Sequence, residues 1–418
     1  MHSQLNEYFS KRNILFEKQS GFRSGHSTDS CLIQLSDFVK HELAQGNLVG
    51  MVLIDLCKAF DTVDHGILLD KLRAIGVGSC GWFESYLKDR SQSVEVNGVQ
   101  SEFLPMTCGV PQGSILGPQL FLLYINDMSI SVNCHLSLYA DDSALLFAHK
   151  DASVIADRLS CELSNCRKWL VDNKLSLHVG KTECLLFGSK CRLKRVKEFQ
   201  VFCEGIAVRR VMQVKYLGVL LDCALSGSAH VGSLLKSCAG RLSFLYRNAS
   251  FLDFHCRKML CMALIQSYID YCSSSWYESL SASLKTKLDV LQRKMLRFVF
   301  RFDYRQHVGK AEFKSLSWLT ISDRVNFFKL VHLFQIRHNR SPQYLRPNFK
   351  SVSDAHSYRT RGSSTSTYHI SKSLSSTTSS FAYSCVKLWN NLPPRIKSID
   401  SLMVFKRELR TWLLSSYG

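Results

Sequence analysis

Asp141 and Asp142 stand at the top of an apolar, alternating run, Leu136-Ser137-Leu138-Tyr139-Ala140, and a second apolar run, Ser143 to Phe147, descends from them. Alternation with a short polar break predicts a β-hairpin carrying two adjacent carboxylates at or beside its tip. Setting one carboxylate beside another is costly unless a cation neutralises both. An ordinary acidic turn would also account for the pair, since Asp is common in turns. A third carboxylate changes the balance. Asp55 ends Val49-Gly50-Met51-Val52-Leu53-Ile54, whose length and β-branched content predict a fully buried strand. Two buried strands that each end in Asp can gather three carboxylates on one sheet edge. That oxygen-only set suits a pair of Mg²⁺ ions, with Mn²⁺ as the alternative. Ions so held would serve an in-line phosphoryl transfer, activating a primer hydroxyl and steadying the leaving pyrophosphate.

Composition narrows the partners. Lys and Arg number 53 against 34 Asp and Glu, a formal charge of +19, which favours a polyanion such as nucleic acid. With 418 residues and 46% hydrophobic content, the chain has material for two or three domains. It contains no apolar run of about eighteen residues, so no spanning helix and no membrane partner are expected. Met1-His2-Ser3-Gln4-Leu5-Asn6-Glu7 lacks the basic-then-apolar form of a signal peptide. The 16 cysteines are scattered without a C-x-x-C pair, and His255-Cys256 and Cys261 fall in an apolar helical stretch. Reduced, buried thiols are expected there, not a metal site. The expected location is intracellular, cytoplasmic or nuclear, and not secreted.

Four blocks carry a resemblance: Gln19-Ser20-Gly21-Phe22-Arg23, Asp55 to His65, Gly109-Val110-Pro111-Gln112-Gly113-Ser114, and Tyr139-Ala140-Asp141-Asp142. Gly180-Lys181-Thr182 and Tyr216-Leu217-Gly218 follow in the same order. Together they resemble the reverse transcriptases of non-LTR (LINE-like) retrotransposons of the jockey or CR1 kind. The resemblance implies an RNA-directed DNA polymerase acting on an RNA template, a DNA primer and deoxynucleoside triphosphates. It implies that Asp55, Asp141 and Asp142 hold two Mg²⁺ ions. Phe60 would lie under the sugar of the incoming nucleotide, where a flat ring leaves no room or partner for a 2′-hydroxyl. Gln112 and Gly113 would line the nucleotide pocket, and Arg23 would touch template or nucleotide. Lys181 would stand near the departing pyrophosphate as a proton or charge donor. Tyr139, Leu217 and Gly218 would grip the primer. The family often carries a Cys/His zinc knuckle, which this sequence lacks. The resemblance further implies that an arginine-containing fingers block and an endonuclease belong upstream of Met1.

The elements that would position these groups follow from periodicity. Leu32, Leu35, Val39 and Leu43 recur at helical spacing. Helices are expected over 67–75 and 81–87, and a hairpin about Asn97-Gly98. Pro118 suits the first turn of an all-apolar, buried helix over 119–125. An amphipathic helix is expected over 153–173 with Asp151 or Ser153 as cap, then strands over 175–179 and 184–187. Asp61 and Asp64 read as helix-start and surface carboxylates. Basic residues crowd 190–215, and 232–300 and 311–338 read as helices. The expected class is α+β: a right-hand polymerase with truncated fingers and a ferredoxin-like palm over 1–225, then a helical thumb over 226–350. A Ser/Thr-rich linker over 351–380 and a helical tail over 381–418 complete it. Two other readings fit the charge: a catalytically inactive remnant that binds nucleic acid, and an RNA-templated polymerase making RNA, against which Phe60 argues.

Overall fold

Leu48–Ile54 forms a strand, β1, in which every residue but Leu53 is buried. It is central to a five-stranded sheet, which explains its unbroken apolar character. In the computed structural model, which describes residues 1–352, 367–370 and 377–417, this sheet also contains β2 (His135–Tyr139), β3 (Asp142–His149), β4 (Glu183–Phe187) and β5 (Arg209–Arg210). The strand order is β5-β4-β1-β3-β2. β1 pairs antiparallel with β3, Leu48 opposite His149 through Ile54 opposite Ser143, and β3 pairs antiparallel with β2.

A helix over Ala152–Asp172 covers the sheet through Ile155, Leu159, Leu163, Cys166 and Leu170. Gly50 makes that approach possible: a Cβ there would lie 2.4 Å from the Ile155 Cγ2 and 2.6 Å from the Leu159 Cδ1. Asp151 caps the helix, accepting from the Ser153 N–H at 2.9 Å. The helix with Pro118 in its first turn runs Gly117–Tyr124 and is buried almost throughout. His65–Ala74 and Cys80–Leu87 are helical, close to the expected spans. Asn97 and Gly98 both take positive φ, joining the short strands Glu95–Val96 and Val99–Gln100.

One expected strand is absent. Residues 175–179 make a single bridge, Leu177 to Leu56, with the His178 N–H donating to the Asp55 carbonyl and the Cys57 N–H to the Ser176 carbonyl, both at 2.9 Å. The partner segment leaves extended geometry just past Asp55 and turns at Lys58, where φ is +45°, so no ladder can lengthen.

The elements above belong, almost throughout, to one compact unit, Met1–Ser27, Leu48–Leu186 and Cys191–Val211; the second is Thr28–Asn47, Phe187–Lys190 and the chain from Met212. Among the described residues the second unit is helical apart from an isolated bridge and a hairpin of β6 (Gln213–Tyr216) and β7 (Val219–Asp222). Its long helices span Thr28–Ala44, Ser228–Arg247, Ala282–Phe300, Ile321–Arg337 and Leu402–Ser415. Phe254–Cys261 continues into Ser267–Asp270 through a π-helical turn, Met262–Gln266. Fully buried Lys329 is paired with Glu278 at 2.5 Å, and Asp270 with Arg324. Of the Ser/Thr-rich stretch, residues 353–366 and 371–376 lie outside the described residues; Ser351 bridges to Tyr368.

Candidate active site

The register of the sheet brings the first carboxylates together. Ile54 faces Ser143 and Tyr139 faces Asp142, so the next step along β1 carries Asp55 to the level of Asp142. Ala140 and Asp141 form the two-residue loop between β2 and β3. Asp55 and Asp141 are half-buried and Asp142 is exposed at the rim. The protein around the Asp142 carboxyl, then the charges of Asp141 and Asp55, hold it above the ordinary carboxylate range. The three are thus electrostatic neighbours. Among the described residues, however, no three His, Cys, Asp or Glu side chains converge as a set that could hold a metal ion. The three expected carboxylates form a cluster of like charges. Its chemistry still fits a hard cation, because every donor is oxygen and the mutual repulsion is what a divalent ion relieves.

The loop is held from below. Ala140 has φ of +54°, a conformation costing an L-residue of this kind about 1 kcal/mol. Gln19, almost wholly buried, clasps that peptide: its Oε1 accepts from the Ala140 N–H at 2.9 Å and its Nε2 donates to the Ala140 carbonyl at 3.4 Å. The same Oε1 accepts from the Gly21 N–H at 2.8 Å. Gly21 lies so close that a Cβ would fall 2.3 Å from the Ala140 nitrogen. Sequence reading placed Gln19 and Gly21 in a characteristic block without giving them a task.

Phe60 lies face to face with Phe121, ring centres 4.1 Å apart, and meets exposed Phe22 edge-on at 6.2 Å. The segment carrying Phe60 is stitched to the Pro111-Gln112-Gly113 loop. The Val110 N–H donates to the Phe60 carbonyl at 2.9 Å and the Gly109 N–H to the Val63 carbonyl at 2.8 Å. The His65 Nε2–H donates to the Gly109 carbonyl at 2.7 Å. Gln112 Nε2 donates to Asp61 Oδ1 at 2.7 Å, and both Gln112 and Gly113 are exposed. Asp64 caps the helix His65–Ala74 through the Ile67 N–H at 3.0 Å, and its bond from Lys174 Nζ at 2.6 Å holds its carboxyl below the usual range.

The remaining expected residues are scattered. Lys181 is exposed in the turn after His178, whose N–H donates to the carbonyl of Asp55. Arg23 donates from Nη1 to the carbonyls of Phe16 at 2.8 Å and Gln19 at 3.0 Å, so it braces the same loop that carries Gln19. Tyr139 ends β2 beside the acidic loop. Leu217 and Gly218 form the β6–β7 turn of the second unit, both with positive φ.

The sheet edge thus brings three carboxylates into one neighbourhood, and the segment that follows Asp55 carries Phe60 and is stitched to the glutamine-bearing loop. The chain belongs to the reverse transcriptase (RNA-dependent DNA polymerase) family, whose profile matches residues 1–221. It is 26% identical over 340 residues to the probable RNA-directed DNA polymerase from transposon BS of Drosophila melanogaster, covering 78% of this chain and 37% of that protein. It is 28% identical over 298 residues to the RNA-directed DNA polymerase from mobile element jockey of Drosophila funebris, covering 67% of this chain and 31% of that protein. The chain therefore spans about a third of the length of these relatives. They place it with the jockey-like, non-LTR reverse transcriptases that the motifs resemble. A solved telomerase from Candida albicans with a fragment of telomeric RNA aligns with 79% of this chain and 56% of that one, at 12% identity and a TM-score of 0.37.

Proposed function

We propose that this chain is the polymerase core of a non-LTR retrotransposon, extending a DNA primer on an RNA template with deoxynucleoside triphosphates. The observation that carries the reading is the β1–β3 register, which sets Asp55 level with Asp142, whose carboxyl feels the charges of both Asp141 and Asp55. Asp55, Asp141 and Asp142 would hold the divalent ions, Mg²⁺ or Mn²⁺, whose chemistry would be to make the primer hydroxyl more acidic and to offset charge on the leaving pyrophosphate. The protein's own contribution is positional. Gln19 and Gly21 keep the acidic loop in its left-handed turn. Phe60, backed by Phe121, presents a rigid ring to the nucleotide sugar and excludes a 2′-hydroxyl. Gln112, oriented by Asp61, and Gly113 face the nucleotide, and Lys181 supplies charge toward the pyrophosphate.

In this reading residues 1–225 are the fingers and palm region, ferredoxin-like in the palm. Residues 226–350 are the thumb, 351–380 a linker, and 381–418 a tail. Tyr139, Leu217 and Gly218 bear on the primer and Arg23 on the template side. A cytoplasmic or nuclear location is consistent with sixteen cysteines that form no disulfide.

The test is primer extension on an RNA template. Incorporation should require Mg²⁺ or Mn²⁺ and be lost in Asp141→Asn; unchanged incorporation in that variant overturns the assignment. The side chains that do not converge as a ligand set favour a second reading, a nucleic-acid-binding remnant without turnover. It expects salt-sensitive binding of RNA–DNA hybrid and no incorporation at any metal concentration.

A further inference from the structure

Phe22 occupies a backbone position that a phenylalanine has reason to avoid. Its φ is +49°, and among the described residues it is the one aromatic in the left-handed region. A Cβ there crowds the main chain, whereas glycine or asparagine would sit at little cost. Burial does not recover that cost, because Phe22 is 55% exposed. Strain of this kind persists only where the surroundings enforce it, and such positions concentrate at functional sites.

The surroundings of Phe22 do enforce it. On one side, the Gly21 N–H donates to Gln19 Oε1 at 2.8 Å, and a Cβ on Gly21 would fall 2.3 Å from the Ala140 nitrogen. One residue earlier, the Ser20 N–H donates to the Leu138 carbonyl at 2.8 Å. On the other side, Arg23 Nη1 donates to the carbonyls of Phe16 and Gln19. Phe22 is thus the exposed crest of a loop clamped at both ends. From there its ring meets Phe60 at 6.2 Å between centres, with 84° between the planes. Phe60 in turn lies nearly parallel to fully buried Phe121, at 4.1 Å and 24°. The three rings run from core to surface. A ring stacked on one neighbour can still slide or turn along the stacking plane. A second ring set across the first removes part of that freedom.

We infer that Phe22 is a positioning residue for sugar selection: its ring keeps Phe60 from yielding to a 2′-hydroxyl. The inference rests on the reading of Phe60 as the residue that excludes that hydroxyl, and goes beyond it. Discrimination then depends on a side chain that need not touch the nucleotide. Through Gly21 and Gln19 the same loop also joins the sugar-selecting ring to the acidic turn.

The test uses the full chain in steady-state primer extension on an RNA template. A ribonucleoside and a deoxyribonucleoside triphosphate of the same base are compared as the ratio of their kcat/KM values. Phe22→Asn removes the ring and supplies a residue that accepts the left-handed φ. Its thermal melt should match or exceed that of the parent. Its preference for the deoxynucleotide should nevertheless fall about fivefold, through a lower KM for the ribonucleotide, since an edge-to-face ring pair is worth about that factor. Phe22→Tyr keeps both the ring and the strain, and should keep the parental ratio. In a Phe60→Ala background, Phe22→Asn should change the ratio no further, because the contact is already gone. Equal losses for the two sugars in Phe22→Asn would mean that Phe22 holds the loop alone, and overturn the inference. A parental ratio in Phe22→Asn, or additive effects in the double variant, overturn it as well. A parent that extends no primer fails the polymerase reading itself, and the inference goes with it. A selective parent beside an unaltered Phe22→Asn fails the inference alone.

Discussion

The Gln19 carboxamide closes on the Ala140 peptide from both sides, accepting from its N–H at 2.9 Å and donating to its carbonyl at 3.4 Å. The contact joins residues far apart in the chain and holds both peptide groups of Ala140, the residue of left-handed φ directly before Asp141 and Asp142. Gln19→Leu preserves volume but leaves the Ala140 and Gly21 N–H groups without their acceptor. We expect it to cost about 1–3 kcal/mol in a denaturant melt. Primer extension should fall about a hundredfold, because small displacements of reacting groups are that expensive. Gln19→Glu retains an acceptor and should lose less stability. A Gln19→Leu protein that melts and extends like the parent would remove the buttress from the argument.

Asp142 gives a pH signature. Its carboxyl is raised by the surrounding protein and by the charges of Asp141 and Asp55. In metal-free buffer the folded state therefore holds this proton more tightly than the unfolded chain does. That favours folding at acid pH, and the advantage fades as pH rises from the ordinary Asp value through the raised one. Asp142→Asn removes this dependence. Melts in EDTA should show the variant gaining on the parent as pH rises from about 4 to about 7. Mg²⁺ should then raise the melting temperature of the parent and not of the variant, because an ion that binds the folded state alone stabilises it by mass action.

Phe60 stacks on Phe121 at 4.1 Å, so its ring is held by packing and is not free to yield to a larger sugar. Phe60→Ala should raise ribonucleotide incorporation relative to deoxynucleotide, read as the ratio of kcat/KM values. The loss of a half-buried ring should also cost about 2 kcal/mol of stability. Phe60→Tyr, which keeps the ring, should retain the deoxynucleotide preference. Parental selectivity in Phe60→Ala would show that the ring is core and nothing more.

What the chain disclosed before folding depended on the range of each signal. β1, β2 and β3 were legible because alternation and β-branched runs report burial on a sheet, and the acidic residues interrupt those runs. The helix Ala152–Asp172 was legible from its apolar stripe and from Asp151 as cap. Residues 175–179 alternate just as well, yet make one bridge, because alternation does not report whether a partner strand is long enough. The stitching of Gly109 and Val110 to Val63 and Phe60 consists of main-chain bonds, which leave no trace in residue type. Gln19 was hidden for a related reason: a buried glutamine becomes interpretable only when its partner peptide is known. Carboxylate neighbourhood could be read from strand ends, whereas the rotamers that decide ligand convergence could not.

Within the second unit the tail is anchored by a buried carboxyl. Asp37, on the helix Thr28–Ala44, accepts from the N–H groups of Phe381 at 2.8 Å and Ala382 at 3.0 Å, at the start of the helix Phe381–Asn390. Neighbouring Lys40 Nζ donates to the Ser379 carbonyl at 2.9 Å. A carboxyl there satisfies two first-turn donors, although burial pushes its pKa above the usual Asp range. Asp37→Ala strands both N–H groups in a buried place, so we expect a loss of about 2–4 kcal/mol. Asp37→Asn keeps one acceptor and should lose roughly half as much. Limited proteolysis should cut the Asp37→Ala chain ahead of Phe381 faster than the parent, releasing a fragment that contains Trp389 and Phe405, both fully buried in the parent. If cleavage there is unchanged while the melt shifts, the stabilisation comes from elsewhere in the helix Thr28–Ala44 and the tail is held by its apolar face alone.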